Sequence, residues 1–196
     1  MELRPYLVSL LVVMINAYYY FIYREFPVNI SFINSVFAFS AVYLIAMSLL
    51  MGSLGRFFPK QFSKYVHDRK TYGLFGYALA GIHVLLASYL LLSETREIFL
   101  ADIMSLAVAA VAFVIFTIMA FTSTSSWIKS LGYENWKNLQ RMGYIAIVLV
   151  VLHFLLLEKG VFISRLTGQV ASLFVLAVLV LRALAIVLKR PSPAKK

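Results

Sequence analysis

The sequence predicts an all-α membrane protein, a six-transmembrane-helix bundle with both termini cytoplasmic, and three observations carry that reading. The 196 residues are 62% hydrophobic and only 13% charged, with a mean hydropathy of +0.89, more apolar than a soluble core of this length requires. Runs free or nearly free of charge recur six times, each approaching the ~20 residues that cross ~30 Å of hydrocarbon. The connections between them alternate between basic and balanced, as the positive-inside rule demands of a chain that crosses up and down.

In order, the runs cover residues 6–23, 28–54, 71–93, 103–127, 142–157 and 166–188, the last interrupted only by Arg182. The first lacks a small-residue cleavage site, and its "NAYYYFIYR" end reads as an aromatic interfacial belt, so it is expected to remain as the first helix. The second connection carries Arg56, Lys60, Lys64, Arg69 and Lys70 against Asp68, and the fourth carries Lys129, Lys137 and Arg141 against Glu134. Lys189, Arg190, Lys195 and Lys196 crowd the tail. By contrast, Arg24 is balanced by Glu25 after the first run, and Arg96 by Glu94, Glu97 and Asp102 after the third. The basic connections and both ends therefore belong in the cytoplasm of a plasma (inner) membrane protein.

No polar connection exceeds about twenty residues, too short for a soluble domain of its own. Residues 1–190 are expected to form one membrane domain, with 191–196 as a basic tail. The net charge of +10 is a statement about topology, with the lipid bilayer as partner and no nucleic acid. The absence of cysteine excludes disulfides, iron–sulfur clusters and thioether-attached haem. No glycine-rich nucleotide fingerprint is present, so a nucleotide donor must sit on another chain.

Two of the three histidines fall inside spans. His83 is twelve residues after Thr71 and His153 twelve after Arg141; both helices run outward, so at ~1.5 Å per residue both imidazoles lie about 18 Å from the cytoplasmic edge. An imidazole is costly in hydrocarbon, and two at one depth can bond one object from opposite sides, as bis-histidine haem iron requires. Gly76, Ala80 and Ala87 share the face of His83 and leave room for a flat ring, while Ala146, with Leu149, Val150 and Leu156, surrounds His153. The plainer alternative is that each histidine bonds a neighbouring helix and the small residues serve helix packing. His67, in "KYVHDRK", reads as a solvated residue of the basic surface.

The stretch "TSTSSWIKSLGYENWKNLQRMGYIAIVLVVLHFLLL", with "DRKTYGLFGYALAGIHVLLASYL" upstream, resembles the ferric reductase-like transmembrane domain superfamily, in particular the MsrQ (YedZ) haem-binding membrane subunits of methionine-sulfoxide reductase systems. Thr122, Ser123, Trp127, Leu131, Gly132, Trp136, Leu139, Arg141, Tyr144 and His153 carry the likeness. The resemblance implies b-type haem between the third and fifth helices, with His83 and His153 as axial ligands. It further implies electrons passing from a cytoplasmic flavoreductase or quinol to an external redox protein, such as a methionine-sulfoxide reductase partner, or to a metal ion such as ferric iron. The chain would then be the electron-transfer component of an oxidoreductase.

Where such relatives commonly read Leu-His-Arg, this chain has Leu139-Gln140-Arg141. Position 140 is thirteen residues before His153, close to a whole number of turns, so the two face alike at two depths. Glutamine is a poor haem ligand, and counting back thirteen from His83 gives Lys70. One haem is expected, as in the STEAP-like members of the superfamily. FMN, FAD or a quinone near Gln140, Arg141, Trp136 and Tyr72 would bridge the inner half. Alternatively, Gln140 caps or hydrates the start of its helix. A small proton-coupled transporter or a cofactor-free scaffold are the competing functions, and a proton relay would need further ionisable residues along the path.

Overall fold

The computed structural model describes residues 3–93, 100–157 and 161–188. The expectations resting on Glu94, Arg96, Glu97 and the tail beyond Leu188 fall outside these. The chain forms α1 (Arg4–Tyr18), continued by a π-helical turn Tyr19–Tyr23, then α2 (Ile30–Phe57) and α3 (Pro59–Phe62), which leads into a 3-10 turn at Ser63–Asp68. Next come α4 (Arg69–Ser93), α5 (Leu100–Phe121), α6 (Ser125–Leu131), α7 (Tyr133–Arg141), α8 (Gly143–Leu157), α9 (Val161–Ser164) and α10 (Leu166–Val187). Among the described residues, six helical stretches are long and apolar enough to cross a membrane: Arg4–Tyr23, Ile30–Phe57, Pro59–Ser93, Asp102–Phe121, Tyr133–Leu157 and Leu166–Val187. The protein is an integral multi-pass membrane protein.

The fourth span is shorter than the uncharged run suggests, ending at Phe121 and not at Trp127. Hydropathy alone cannot place that end, because Thr122 to Trp127 carry no charge. The hydroxyls decide it: Thr122 Oγ1 donates to Ile118 O at 2.7 Å and Ser123 Oγ to Met119 O at 2.6 Å, satisfying carbonyls of the last turn. Thr124 then caps a new helix, its side chain accepting from the Trp127 amide, and Trp127 lies exposed on α6. The connections over 56–70 and 123–141, expected as polar loops, are themselves largely helical.

α2 is the hub, packing most extensively on α4 and also on α1, α8 and α10, while α5 pairs with α8; α4 and α5 touch only sparsely. Ser48 Oγ donates to Arg69 O at 2.6 Å, joining the end of α2 to the start of α4. Gln140 Nε2 donates to Met119 O at 3.1 Å, joining the end of α5 to the start of the fifth span. These joints form the basic end of the bundle. There Arg4 also donates through Nε (3.1 Å) and Nη2 (2.7 Å) to Oδ2 of the buried Asp68, with its guanidinium 4.5 Å from the Tyr65 ring centre. Farther along, Asn16 Nδ2 donates to Ser40 Oγ at 3.2 Å and ties α1 to α2.

A dihistidine cavity between four helices

A cavity of about 500 Å³ opens between α2, α4, α5 and α8. Alanines make the room: Ala38 and Ala41 from α2, Ala80 and Ala87 from α4, Ala109 and Ala112 from α5. Ile45, Phe113, Phe116, Ile147, Val150 and Phe154 supply apolar walls. Among the described residues, its polar lining side chains are His83, His153 and Ser88. Tyr77 and Phe113 stack across the α4–α5 gap, centroids 5.6 Å apart and 21° from parallel.

Both imidazoles line this one cavity, and each has Nδ1 held by a side chain from another helix. His83 Nδ1 donates to Asn34 Oδ1 of α2 at 2.7 Å. His153 is clasped by Ser105 of α5: Nδ1 lies 2.8 Å from the Ser105 hydroxyl and 3.1 Å from the Ser105 carbonyl, and that hydroxyl donates to the His153 carbonyl at 3.0 Å. A carbonyl only accepts, so in both rings Nδ1 carries the proton and Nε2 keeps its lone pair for a ligand. The two imidazoles, each with Nδ1 engaged, thus face an apolar-lined space. Among the described residues no group of three or more His, Asp or Glu side chains gathers to hold a bare metal ion. Two imidazoles with room between helices would suit iron that brings its other four nitrogens in a macrocycle. The volume is within the range of cofactor pockets, and the residues fit haem.

Of the other residues singled out by sequence, Ala80, Ala87 and Val150 line the cavity as expected of ring-flanking positions. Gly76 serves a different contact: a Cβ there would stand 2.8 Å from Ile45 Cγ1 and 3.1 Å from both Ala41 O and Ile45 N. Its missing side chain lets α4 press against the α2 backbone. Ala146 is fully buried in the core cluster and Leu149 packs against that cluster. His67 is exposed on the 3-10 turn.

The four residues expected around a second carrier are not assembled into one site. Gln140 Nε2 reaches Met119 O at 3.1 Å and Thr122 Oγ1 at 3.4 Å, and Trp136 Nε1 donates to Thr122 O at 3.0 Å, so both fasten the end of α5. Arg141 is exposed and donates to Asn138 Oδ1 at 2.6 Å. Tyr72 is buried in another cluster, with Ala41, Leu44 and Leu79. Above Gln140 the chains close up, since a Cβ on Gly143 would meet Met119 Cε at 2.8 Å and Leu49 Cδ2 at 3.2 Å. Asn34 and Ser105 went unread in the sequence; the available signal was an amide and a hydroxyl within apolar runs, each near the start of its helix.

Fold and site together define a class: a multi-pass helical membrane protein with paired intramembrane histidines facing one apolar cavity. Residues 37–151, over half of the chain, match the ferric reductase like transmembrane component family, reaching from within α2 to within α8, to include His83 and stop two residues before His153; the protein belongs to that family. It is 36% identical over 104 residues to the magnetosome protein MamZ of Magnetospirillum gryphiswaldense, covering 50% of this chain and 15% of that protein. It is 29% identical over 100 residues to the protein-methionine-sulfoxide reductase heme-binding subunit MsrQ of Caulobacter vibrioides, covering 50% of this chain and 48% of that one. To MsrQ of Azospira oryzae it is 34% identical over 98 residues, covering 47% and 41% respectively. The matched region thus spans half or less of these relatives.

Proposed function

We propose that the protein is a membrane electron-transfer subunit carrying one b-type haem between His83 and His153. Electrons arrive from a cytoplasmic flavoreductase or a quinol at the basic end and leave to an external acceptor, a methionine-sulfoxide reductase partner or ferric iron. The observation that carries this reading is the matched pair of Nδ1-held imidazoles on one cavity. The name heme-binding subunit borne by the MsrQ relatives supports it.

Haem, when bound, supplies a one-electron couple; the chain's own side chains supply its setting. His83 and His153 offer neutral nitrogens from α4 and α8, the alanines admit a flat ring, and the phenylalanines and aliphatic walls keep water out, so that the couple is shielded from protons and side reactions. The closed packing of Met119 and Leu49 on Gly143, with Gln140 committed to α5, favours a single haem level. A proton relay fits less well, since among the described residues the cavity lining carries no ionisable side chain beyond the two histidines.

The test is the absorption spectrum of purified protein from haem-replete cells. A low-spin b-type spectrum is expected in the wild type and in His67→Ala, and its loss in His83→Ala and in His153→Ala. A colourless wild type, or either intramembrane variant with an unchanged spectrum, overturns the assignment.

A further inference from the structure

We infer that Asn34 and Ser105 are positioning residues that set the tautomer, orientation and donor strength of the two axial histidines, and through them the reduction potential of the site. The inference rests on the haem reading above. Asn34 sits on α2 and Ser105 on α5, whereas the ligands sit on α4 and α8, so each imidazole is aimed by a helix other than its own. Ser105 is 0% exposed, and a hydroxyl sealed at that depth has the His153 ring and backbone as its recorded partners. A hydrogen bond accepted from Nδ1–H pushes electron density toward Nε2 and stabilises the more oxidised metal. Amide and hydroxyl acceptors do this more weakly than a carboxylate.

The two clasps are unequal, and the inequality makes the inference testable. Among the described residues, Asn34 supplies the acceptor for His83 Nδ1, at 2.7 Å. His153 Nδ1 has two, the Ser105 hydroxyl and the Ser105 main-chain carbonyl at 3.1 Å. Removing the hydroxyl leaves the carbonyl in place, so the tautomer of His153 persists while that of His83 depends on a single side chain.

The experiment measures the midpoint potential and the low-spin electron paramagnetic resonance signal of purified holoprotein. Asn34→Leu is expected to raise the midpoint and alter the signal strongly, Ser105→Ala to raise it less, and Ser105→Thr, which restores a hydroxyl, to return it toward wild type. Asn34→Asp is expected to lower the midpoint, since a carboxylate draws harder on the Nδ1 proton. A purely packing role for these residues would change haem retention or melting without this ordered shift. Wild type that binds haem with two histidines while Asn34→Leu and Ser105→Ala both keep its midpoint and signal overturns the inference alone. Wild type without a bis-histidine signal overturns the haem reading beneath it. Should Asn34→Leu fail to accumulate, Asn34→Asp decides: a lowered midpoint supports the inference and an unchanged one refutes it.

Discussion

Two glycine-to-alanine substitutions on α4, five residues apart, are expected to change stability in opposite directions. A methyl group on Gly76 would stand 2.8 Å from Ile45 Cγ1 and 3.1 Å from Ala41 O and Ile45 N, against the 3.4–4 Å of ordinary contact. Two of those neighbours are main-chain atoms, which no rotamer change can move, so α2 and α4 must separate by several tenths of an ångström. Overpacking of this kind costs about 1–3 kcal/mol. Gly81 has nothing within 4 Å of the same added carbon, so alanine there gains helix propensity of about 0.5–1 kcal/mol without a clash. The assay is thermal unfolding of the detergent-solubilised protein, where the difference should amount to several degrees, ~2–4 °C per kcal/mol for a chain of this size. Gly76 lies seven residues before His83 on α4, and Ala41 seven after Asn34 on α2, so a wedge there also strains the His83–Asn34 bond, and haem loss should accelerate in Gly76→Ala only. Equal shifts in the two variants would refute the claim that Gly76 exists for helix contact.

Gln140→His should leave the haem count near one per chain, because Met119 and Leu49 already fill the level above it and Lys70 offers no facing imidazole; a pyridine haemochrome assay finding two per chain would contradict this. Arg4→Gln strips the guanidinium from the buried Asp68 carboxylate, a loss of about 1.5–3 kcal/mol for a charged hydrogen bond, nearer the low end because Arg4 is part-exposed. Faster amide exchange along α1 than along α2 is the expected readout, and unchanged exchange would show the clip to be idle. Reporter fusions after Lys64 and Lys137 should read cytoplasmic and fusions after Glu97 and Lys159 external, as the loop charges require; inverted readouts would turn the bundle over.

What the sequence made legible follows from the bilayer itself. A helix that crosses hydrocarbon must be long and apolar, so the six spans stand out by composition, and a histidine among leucines and valines is conspicuous for the same reason. The ends of spans are less visible: Thr122 and Ser123 stop α5 through hydroxyl bonds to Ile118 and Met119, a local effect that hydropathy does not register. Tertiary roles are least visible. Asn34 and Ser105 find their histidines 49 and 48 residues away, and neither residue type announces a ligand partner. Gly76 shows the converse, since small-residue spacing reads alike whether it admits a ring or a neighbouring backbone, and only the contact to Ala41 and Ile45 separates the two. Gln140 was legible as a departure, while its grip on Met119 and Thr122 depended on where α5 ends.

The level of the histidines along the bundle has an electrical consequence. His83 is twelve residues after Thr71 and ten before Ser93, where α4 ends, about 18 Å and 15 Å at 1.5 Å per residue. In the orientation the loop charges imply, with the basic end cytoplasmic, an electron delivered from that side to the histidine level would traverse a little over half of the low-dielectric layer. A voltage negative inside pushes it outward. At ~2.3 kcal/mol per charge per 100 mV, that share of the drop contributes about 1.3 kcal/mol for each 100 mV, close to a tenfold change in the equilibrium between donor and the proposed haem. The same couple would thus be easier to reduce in an energised membrane than in detergent, and collapsing the voltage would act on this protein as an inhibitor of its filling, with no change in any contact.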